Sequence, residues 1–381
     1  MFESYGRAIG ICTIAISVIL ANGTTAFATC VANQVPTPAS GFFDLFFSIG
    51  GAAPSDVWAV GGNRSVRYNI FHTMTEHWDG NTWTVVPSPN VDLRDYSNAL
   101  NGVAALSSTD VWAVGGLDPR RGGLASQTLS LHWRGQRWSV VSTPSDPGRF
   151  NAVAPVKQNG DIWAVGTTDV FPAPGQPLIE LWNGSAWSVV ASTTFPNGGF
   201  IFGVSAPSPH SAWAVGQGYD ASANYFPFTL HWNGTAWTQV PAQLVGNDAV
   251  FEAVTALSDR NAWAGGYYYD ATTNRFLGVI EHWDGTAWHI VPIPNPPTGD
   301  MSIMGISALS NTNIWASGYT TPGEEGMLMH WDGTQWTIVP TPHPTGADEL
   351  FSVAAFPHNV WSAGATFSSG ATATFAVLAH C

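Results

Sequence analysis

A tryptophan-rich unit recurs along the whole chain and constrains its fold more than any other feature. In one copy, Trp112 is followed by Ala-Val-Gly, and further on by Trp133 and, five residues later, by Trp138. The first Trp position recurs roughly every 50 residues, at Trp58, Trp112, Trp163, Trp213, Trp263, Trp315 and Trp361. The second and third positions recur together, at Trp78/Trp83, Trp133/Trp138, Trp182/Trp187, Trp232/Trp237, Trp283/Trp288 and Trp331/Trp336. These positions account for all 19 Trp residues, and repeats of this length are typical of β-propellers and solenoids.

Each repeat contains the signals of four short strands. In the second repeat, strand a covers residues 102–106, a polar turn covers 107–110, strand b covers 111–115, and strand c covers 128–133. Strand d begins at the third Trp and ends near a Pro. Strands c and d are joined by turns that favour a left-handed backbone, at Asp79-Gly80, Asn183-Gly184, Asn233-Gly234, Asp284-Gly285 and Asp332-Gly333. The sequence therefore predicts an all-β protein of seven four-stranded antiparallel sheets.

The two ends of the chain favour a closed ring over an open solenoid. The seventh repeat ends at Cys381 without a strand d. Residues 30–38 resemble a strand d, because their Val-Pro-Thr-Pro matches the Val-Pro-Ser-Pro of residues 86–89. We therefore expect residues 29–381 to form one seven-bladed β-propeller, closed by an N-terminal strand at about 30–38 that completes the last blade.

The same alignment indicates a disulfide between Cys30 and Cys381. Cys381 aligns with Trp78 and Cys30 with Asn81, which are the first and last residues of a turn between strands c and d. Such residues lie within about 7 Å at Cα, which is within disulfide reach. Two free thiols are the alternative.

The N-terminus resembles a secretory signal peptide over residues 1–28. Arg7 precedes an apolar run at residues 8–21, and Ala26-Phe27-Ala28 forms a cleavage site. This predicts a secreted or cell-surface protein, with an uncleaved anchor as the alternative and no membrane span in the mature chain. The net charge of −14 argues against nucleic-acid binding.

The repeat resembles kelch and tectonin-type propeller repeats. Its strands read vWAVG, HWdG and W-x-x-V-P, and three repeats carry the kelch-like glycine pair, at Gly61-Gly62, Gly115-Gly116 and Gly265-Gly266. The other repeats lack the pair. The resemblance covers the mature chain and implies a propeller; tectonin-type proteins include sugar and lipopolysaccharide binders.

The repeated Trp and His residues are predicted to be structural. Trp at fixed positions favours a core between blades over a ladder that stacks sugars. A His precedes the second Trp in most repeats, and the separate blades favour hydrogen bonding over a metal site. No metal-ligand spacing, phosphate-binding loop or G-x-S-x-G elbow occurs, so we predict no metal, cofactor or catalytic residues.

The candidate ligand-binding surface is the side of the disc that carries the b–c and d–a loops, called here the loop face. These loops vary between repeats, whereas the a–b and c–d turns of the opposite turn face are short and regular. All Tyr residues of the mature chain fall on the loop face: Tyr68, Tyr96, Tyr219, Tyr225, Tyr267, Tyr268, Tyr269 and Tyr319. So do Arg64, Arg67, Arg94, Arg120, Arg121, Arg149 and Arg275.

Tyr and Arg are enriched at binding hot spots, and variable loops on a rigid scaffold often bind ligands. We therefore expect a monomeric, non-enzymatic binding module with a glycan or protein ligand. Packing of these Tyr within solvated loops is the structural alternative. Two other functions stay open: a polysaccharide hydrolase or lyase that uses acids such as Asp118, Asp220 or Asp270, and a purely structural cell-surface protein.

Overall fold

A computed structural model describes residues 30–38, 43–65, 70–120, 124–144, 147–169, 173–243, 247–323, 325–343, 347–368 and 371–380. Within these ranges the chain forms strands β1 to β28 and no helix. The strands make seven four-stranded sheets, and every pair of neighbouring strands is antiparallel. The described segments contain no apolar helix of membrane-spanning length.

Each sheet contributes one strand to each of four positions, from a at the centre of the disc to d at its rim. Strand a is β2 (Asp44–Ala53), β6 (Tyr96–Ser107), β10 (Gly148–Pro155), β14 (Gly199–Ser208), β18 (Asn247–Ser258), β22 (Met301–Ser310) or β26 (Asp348–Phe356). Strand b is β3 (Asp56–Ser65), β7 (Asp110–Pro119), β11 (Ile162–Thr168), β15 (Ser211–Tyr219), β19 (Asn261–Asp270), β23 (Asn313–Thr320) or β27 (Asn359–Ser368). Strand c is β4 (Ile70–Trp78), β8 (Gln127–Trp133), β12 (Pro177–Trp182), β16 (Tyr225–Trp232), β20 (Arg275–Trp283), β24 (Glu325–Trp331) or β28 (Ala371–His380). Strand d is β5 (Trp83–Val85), β9 (Trp138–Val140), β13 (Trp187–Val189), β17 (Trp237–Val240), β21 (Trp288–Val291), β25 (Trp336–Val339) or β1 (Val31–Gln34).

The seven sheets close into a ring. Each strand a contacts the strand a of the next blade, and β26 of the last blade contacts β2 of the first. The last blade has the order β1-β28-β27-β26, so the N-terminal strand supplies its outer edge. Val31 pairs with His380 there, and the Val35 N–H donates to the Ala376 carbonyl at 2.9 Å. The predicted seven-bladed propeller, closed by the N-terminal strand, is confirmed.

The strand register corrects the predicted alignment of Cys30. Val31 pairs with His380, whereas Thr84 is the residue that pairs with the equivalent His77. Val31 is therefore equivalent to Thr84, and Cys30, one residue earlier, is equivalent to Trp83 rather than to Asn81. The sequence alignment failed because the N-terminal strand has two more residues between this position and its Val-Pro than a regular strand d. The predicted signal peptide, residues 1–28, and Cys381 lie outside the described residues, so their roles stay predictions.

The interfaces between blades are built from tryptophans, as the fixed spacing predicts. Trp58 of the first blade lies 4.9 Å from Trp133 and 5.1 Å from Trp138 of the second, measured between ring centroids. The same contact joins the other Trp-containing blades: Trp112 to Trp182/Trp187, Trp163 to Trp232/Trp237, Trp213 to Trp283/Trp288, Trp263 to Trp331/Trp336 and Trp361 to Trp78/Trp83. The first-position Trp are at most 3% exposed. Each such burial contributes roughly 4–6 kcal/mol before entropy is subtracted.

Trp315 has a different neighbour, because the last blade has no Trp pair. It belongs instead to a cluster with Val360, Val377 and Ala379, against which Cys30 is packed. Cys30 therefore lies at the strand-d position that a third Trp fills in the other blades.

The His residues before the second Trp are structural, as predicted. His132 stacks on Trp112 at 4.0 Å between centroids, and its Nε2 lies 2.7 Å from Asp110 Oδ1. The same arrangement, a His on the first Trp and bonded to the first residue of strand b, recurs at His77/Asp56, His231/Ser211, His282/Asn261 and His330/Asn313. These bonds fix strand c to the start of strand b within those five blades.

The glycine of the WAVG strand is required by a close approach of strand a. A Cβ on Gly115 would lie 2.0 Å from the Ala99 carbonyl oxygen, which no side chain tolerates. The equivalent glycines would meet a strand-a carbonyl at 1.8 to 2.0 Å in all the other blades, at Gly61, Gly166, Gly216, Gly266, Gly318 and Gly364. Strand a bends toward strand b at this point because it contains a β-bulge.

Candidate functional site

The bulges of the seven strands a form a ring of side chains around the central channel. In each blade the register of strand a against strand b skips one residue, and that residue lines the channel. We call these residues the channel ring: Phe47, Asn101, Asn151, Phe202, Glu252, Met304 and Phe351. The channel cavity has a volume of about 450 Å³, within the usual range of small-ligand sites.

Neighbouring members of the channel ring differ in how they are held. The Asn101 amide donates to the Phe150 carbonyl of the next blade at 2.8 Å, and the Asn151 amide donates to the Ile201 carbonyl at 2.8 Å. Both amides therefore fix one blade to the next while facing the channel. Across the point of closure, the Phe47 and Phe351 rings lie 6.4 Å apart, and they add apolar surface.

Glu252 is the one ionisable residue among those that line the channel. Burial raises its pKa to about 7. Its carboxylate has no hydrogen-bond or ion-pair partner within the described part of the chain. The channel therefore combines an apolar wall with a single acid that no described basic group neutralises.

One of the predicted tyrosines, Tyr267, lies near this acid. The pKa of Tyr267 is raised above its usual value, first by burial and then by the nearby Glu252, Tyr319 and Tyr225. Tyr225 is 42% exposed, and its ring lies 5.2 Å from that of Tyr219, edge to face. Tyr267 of blade five is thus close to Glu252 of its own blade, to Tyr225 of blade four and to Tyr319 of blade six.

Other predicted tyrosines are occupied by packing. Tyr96 is 7% exposed in the core between the first two blades, and its hydroxyl accepts a hydrogen bond from the Gln127 amide at 2.9 Å. Tyr268 packs on a core cluster that includes Trp288. The Tyr269 hydroxyl donates to Asn274 Oδ1 at 2.6 Å, within its own loop.

The described arginines mainly stabilise the loops. Arg120 donates to the carbonyls of Leu93 and Arg94, each at 3.0 Å, and Arg275 donates to the Pro296 carbonyl at 2.8 Å. The Arg64 guanidinium lies over the Phe43 ring at 5.2 Å. Arg94 is exposed. The predicted site residues Arg67, Tyr68 and Arg121 lie outside the described residues.

A second cavity of about 380 Å³ opens beside the channel between blades three and four. Asn151 and Phe202 line both cavities, so the two spaces are adjacent. Arg149, Asp169, Gln217 and Tyr219 also line this side cavity. The pKa of Asp169 lies below its usual value because Ser126 donates hydrogen bonds to the carboxylate.

The acids considered for catalysis do not converge on the channel. Asp220 accepts hydrogen bonds from Ser222 and Asn224, Asp270 accepts them from residues of its own loop, and these bonds lower both pKa values. Asp118 lies 3.3 Å from Arg149. Of the residues that line the channel, Glu252 alone is a carboxylate, whereas most glycosidases need two.

A metal site also lacks its ligands in this part of the chain. The described residues contain no group of three or more His, Cys, Asp or Glu side chains placed to hold an ion.

Sequence reasoning missed the channel ring. The sequence signal for the ring is a three-residue pattern in strand a: a large apolar residue, then a variable residue, then a small residue. Examples are Phe-Phe-Ser at 46–48, Leu-Asn-Gly at 100–102 and Phe-Glu-Ala at 251–253. The predicted strand a of the second repeat began at Gly102, whereas β6 begins at Tyr96. The bulge interrupts the alternation of apolar and polar residues by which strands are recognised.

The chain resembles solved structures, but no protein-family model matches it. No curated protein matches it either. A structure described as "YCF48 bound to D1 peptide" has a TM-score of 0.51 and 16% sequence identity, covering 93% of this chain and 96% of that one. A protein of unknown function from Dyadobacter fermentans DSM 18053 has a TM-score of 0.49 and 12% identity, covering 93% of this chain and 100% of that one. The likeness to YCF48 supports the propeller fold, and membership of the kelch or tectonin families stays a prediction.

Proposed function

We propose that this protein is an exported, non-enzymatic binding module that holds an extended segment of a protein partner at the loop-face mouth of the channel. The observation that carries the proposal is the position of the side cavity directly beside the channel, with Asn151 and Phe202 lining both. Export through the predicted signal peptide and the Cys30–Cys381 disulfide are part of the same proposal.

The shape of the combined site favours an extended chain. A ligand that lies across Asn151 and Phe202 would contact the channel and the side cavity at once. The side cavity offers the rings of Phe202 and Tyr219 and the polar side chains of Gln217 and Arg149. The exposed ring of Tyr225 lies against Tyr219. Aromatic anchors beside a few polar groups are typical of binding hot spots. The structural neighbour YCF48 is described as bound to D1 peptide, so a propeller of similar fold accommodates a peptide.

A selection of randomised linear peptides on the purified mature protein tests the proposal. We expect binders, and we expect Phe202→Ala and Tyr225→Ala each to weaken them by roughly tenfold or more, since each removes an aromatic contact. Val189→Ala is the matched control, because Val189 is 58% exposed on an outer strand far from the channel.

The result that would overturn the proposal is a selection without any binder that depends on Phe202 or Tyr225. A glycan array run in parallel tests the carbohydrate ligand: capture of a glycan, lost in the same two variants, would replace the peptide with a sugar at this site.

A further inference from the structure

The composition of the channel ring disfavours a negatively charged ligand. Three of its members are Phe and one is Met, so most of the wall is apolar and polarisable. Its two amides, Asn101 and Asn151, already donate hydrogen bonds to carbonyls of the neighbouring blades. No Lys, Arg or His lines this channel within the described residues. An anion would therefore find an acid and no basic partner.

Glu252 favours a positively charged ligand. It lines the channel without a hydrogen-bond or ion-pair partner in the described structure. Glu252 is only partly exposed, so its charged form is poorly solvated in the channel, and a bound cation would offset that cost by ion pairing. The phenylalanines of the channel ring add a second attraction, because aromatic side chains attract cations through their electron-rich faces.

We infer that the channel accepts the cationic side chain of a lysine or arginine from the bound peptide, with Glu252 as its counter-charge. This inference rests on the proposed function and names the residue type that the site selects. The flanking chain of the peptide would lie in the mouth, near Tyr225 and the side cavity, while the long side chain enters the channel. Unbranched Lys and Arg side chains suit this route, because their methylene groups pack on Phe and Met while the charge reaches the acid.

The surroundings of the site fit this assignment. The net charge of the chain is −14, which favours the approach of a basic segment. Arg149, which lines the side cavity, lies 3.3 Å from Asp118 and close enough to Asp169 to lower the pKa of that carboxyl. Its charge is therefore partly balanced before a ligand arrives.

The test begins with peptides selected on the wild-type protein. We expect one position to be enriched in Lys or Arg. Replacing that residue with norleucine, or acetylating it, should weaken binding to wild type by roughly tenfold to a hundredfold. Glu252→Gln should bind the parent peptide more weakly than wild type does, by a similar factor. This variant should bind the parent and norleucine peptides with nearly equal affinity. This double-mutant cycle isolates the pairing of the two groups, because a general loss of folding would not produce such coupling.

Asp259→Asn is the matched control. Asp259 is an exposed acid in an a–b turn on the turn face, so this variant loses the same charge outside the channel. We expect it to bind the parent peptide and the norleucine peptide as wild type does.

Two results would separate failure of this inference from failure of the proposed function. In the first, peptides bind through Phe202 and Tyr225, but the norleucine replacement lowers their affinity equally for wild type and Glu252→Gln. This result would overturn the cation assignment alone. The absence of any peptide dependent on the mouth residues would overturn both.

Discussion

The side chain of Ser352, in the last blade, accepts a hydrogen bond from the backbone N–H of Ile49, in the first, at an N···O distance of 3.2 Å. Other blade boundaries carry the same kind of bond, at Ser48/Val103, Ser205/Ala256, Thr255/Ala308 and Ser307/Ala355. At its inner edge, therefore, the joint between the ends of the chain is made like an ordinary blade boundary. At its outer edge it differs, because β1 is held without a covalent turn.

The first prediction concerns that outer edge. We expect Cys30 and Cys381 to form a disulfide, which should appear as one linked peptide in non-reducing mass spectrometry. Cys30→Ser should lower the free energy of unfolding by up to about 5 kcal/mol, since the bond limits the unfolded state of a large ring. Reduction of the wild type should reproduce the loss. Detection of two free thiols in the mature protein would contradict the prediction.

The second prediction separates two adjacent glycines. Gly115→Ala places a Cβ 2.0 Å from the Ala99 carbonyl oxygen, so strand a must move and the free energy of unfolding should fall by about 3 kcal/mol or more. Gly116→Ala, the control, meets Arg149 Cβ at 3.0 Å and should cost clearly less. Urea denaturation of both variants measures the difference. Equal losses would show that the bulge does not impose the glycine.

The third prediction uses a buried acid on strand c of the first blade. Glu76 is fully buried, and its pKa is raised to about 8, first by burial and then by the nearby Asp44. Between pH 4.5 and about 8 the unfolded chain has released this proton while the folded chain keeps it. The contribution of Glu76 to stability therefore falls as the pH rises through this window, by about 1.4 kcal/mol per unit.

Two other blades carry Leu131 and Leu230 at this position, so Glu76→Leu copies a residue that the repeat already accepts. Denaturation across the same pH window should show a smaller decline for this variant than for wild type. Glu325→Gln, which changes an exposed acid on strand c, should leave the decline unchanged. An identical pH dependence in wild type and Glu76→Leu would refute the assignment.

The fourth prediction has the opposite sign and concerns His231. Burial lowers its pKa below 6.5, against the opposing effect of Asp259. Below pH 6.5 the unfolded state binds the proton more readily, so the stability contributed by neutral His231 is lost as the pH falls. Blade three has Leu181 at this position, and His231→Leu should therefore flatten the acid side of the stability curve. Thermal unfolding from neutral to mildly acid pH measures it; an unchanged curve would count against this role.

The residues that sequence reasoning placed correctly are those whose environment repeats. Trp112 has the same neighbours as Trp58 or Trp213, so counting copies was enough to predict an interface between blades. The completion of the last blade by the N-terminal strand was predictable for the same reason. Comparison with the complete repeats showed that the last repeat lacks a strand d.

The candidate site was harder to predict because its residues are set by tertiary contacts. Tyr96 and Tyr267 both occur where strands meet the loop face, yet the structure buries Tyr96 between blades and places Tyr267 near Glu252. Arg120 is of a residue type that is common at binding sites, but its guanidinium donates hydrogen bonds to two loop carbonyls. Single-sequence patterns contain no information about such partners from distant loops.

The bulge residues also determine how such a protein can diversify. The residue before the bulge, such as Phe46 at 0% exposure, is committed to the core, whereas the bulge residue itself lines the channel. The positions other than Asn101 and Asn151, whose amides join neighbouring blades, can therefore change with little effect on the scaffold, and the ring already holds four residue types. The side chains of the channel ring would thus determine which ligand the channel accepts. Substitutions at these positions, natural or designed, are a route to new ligands.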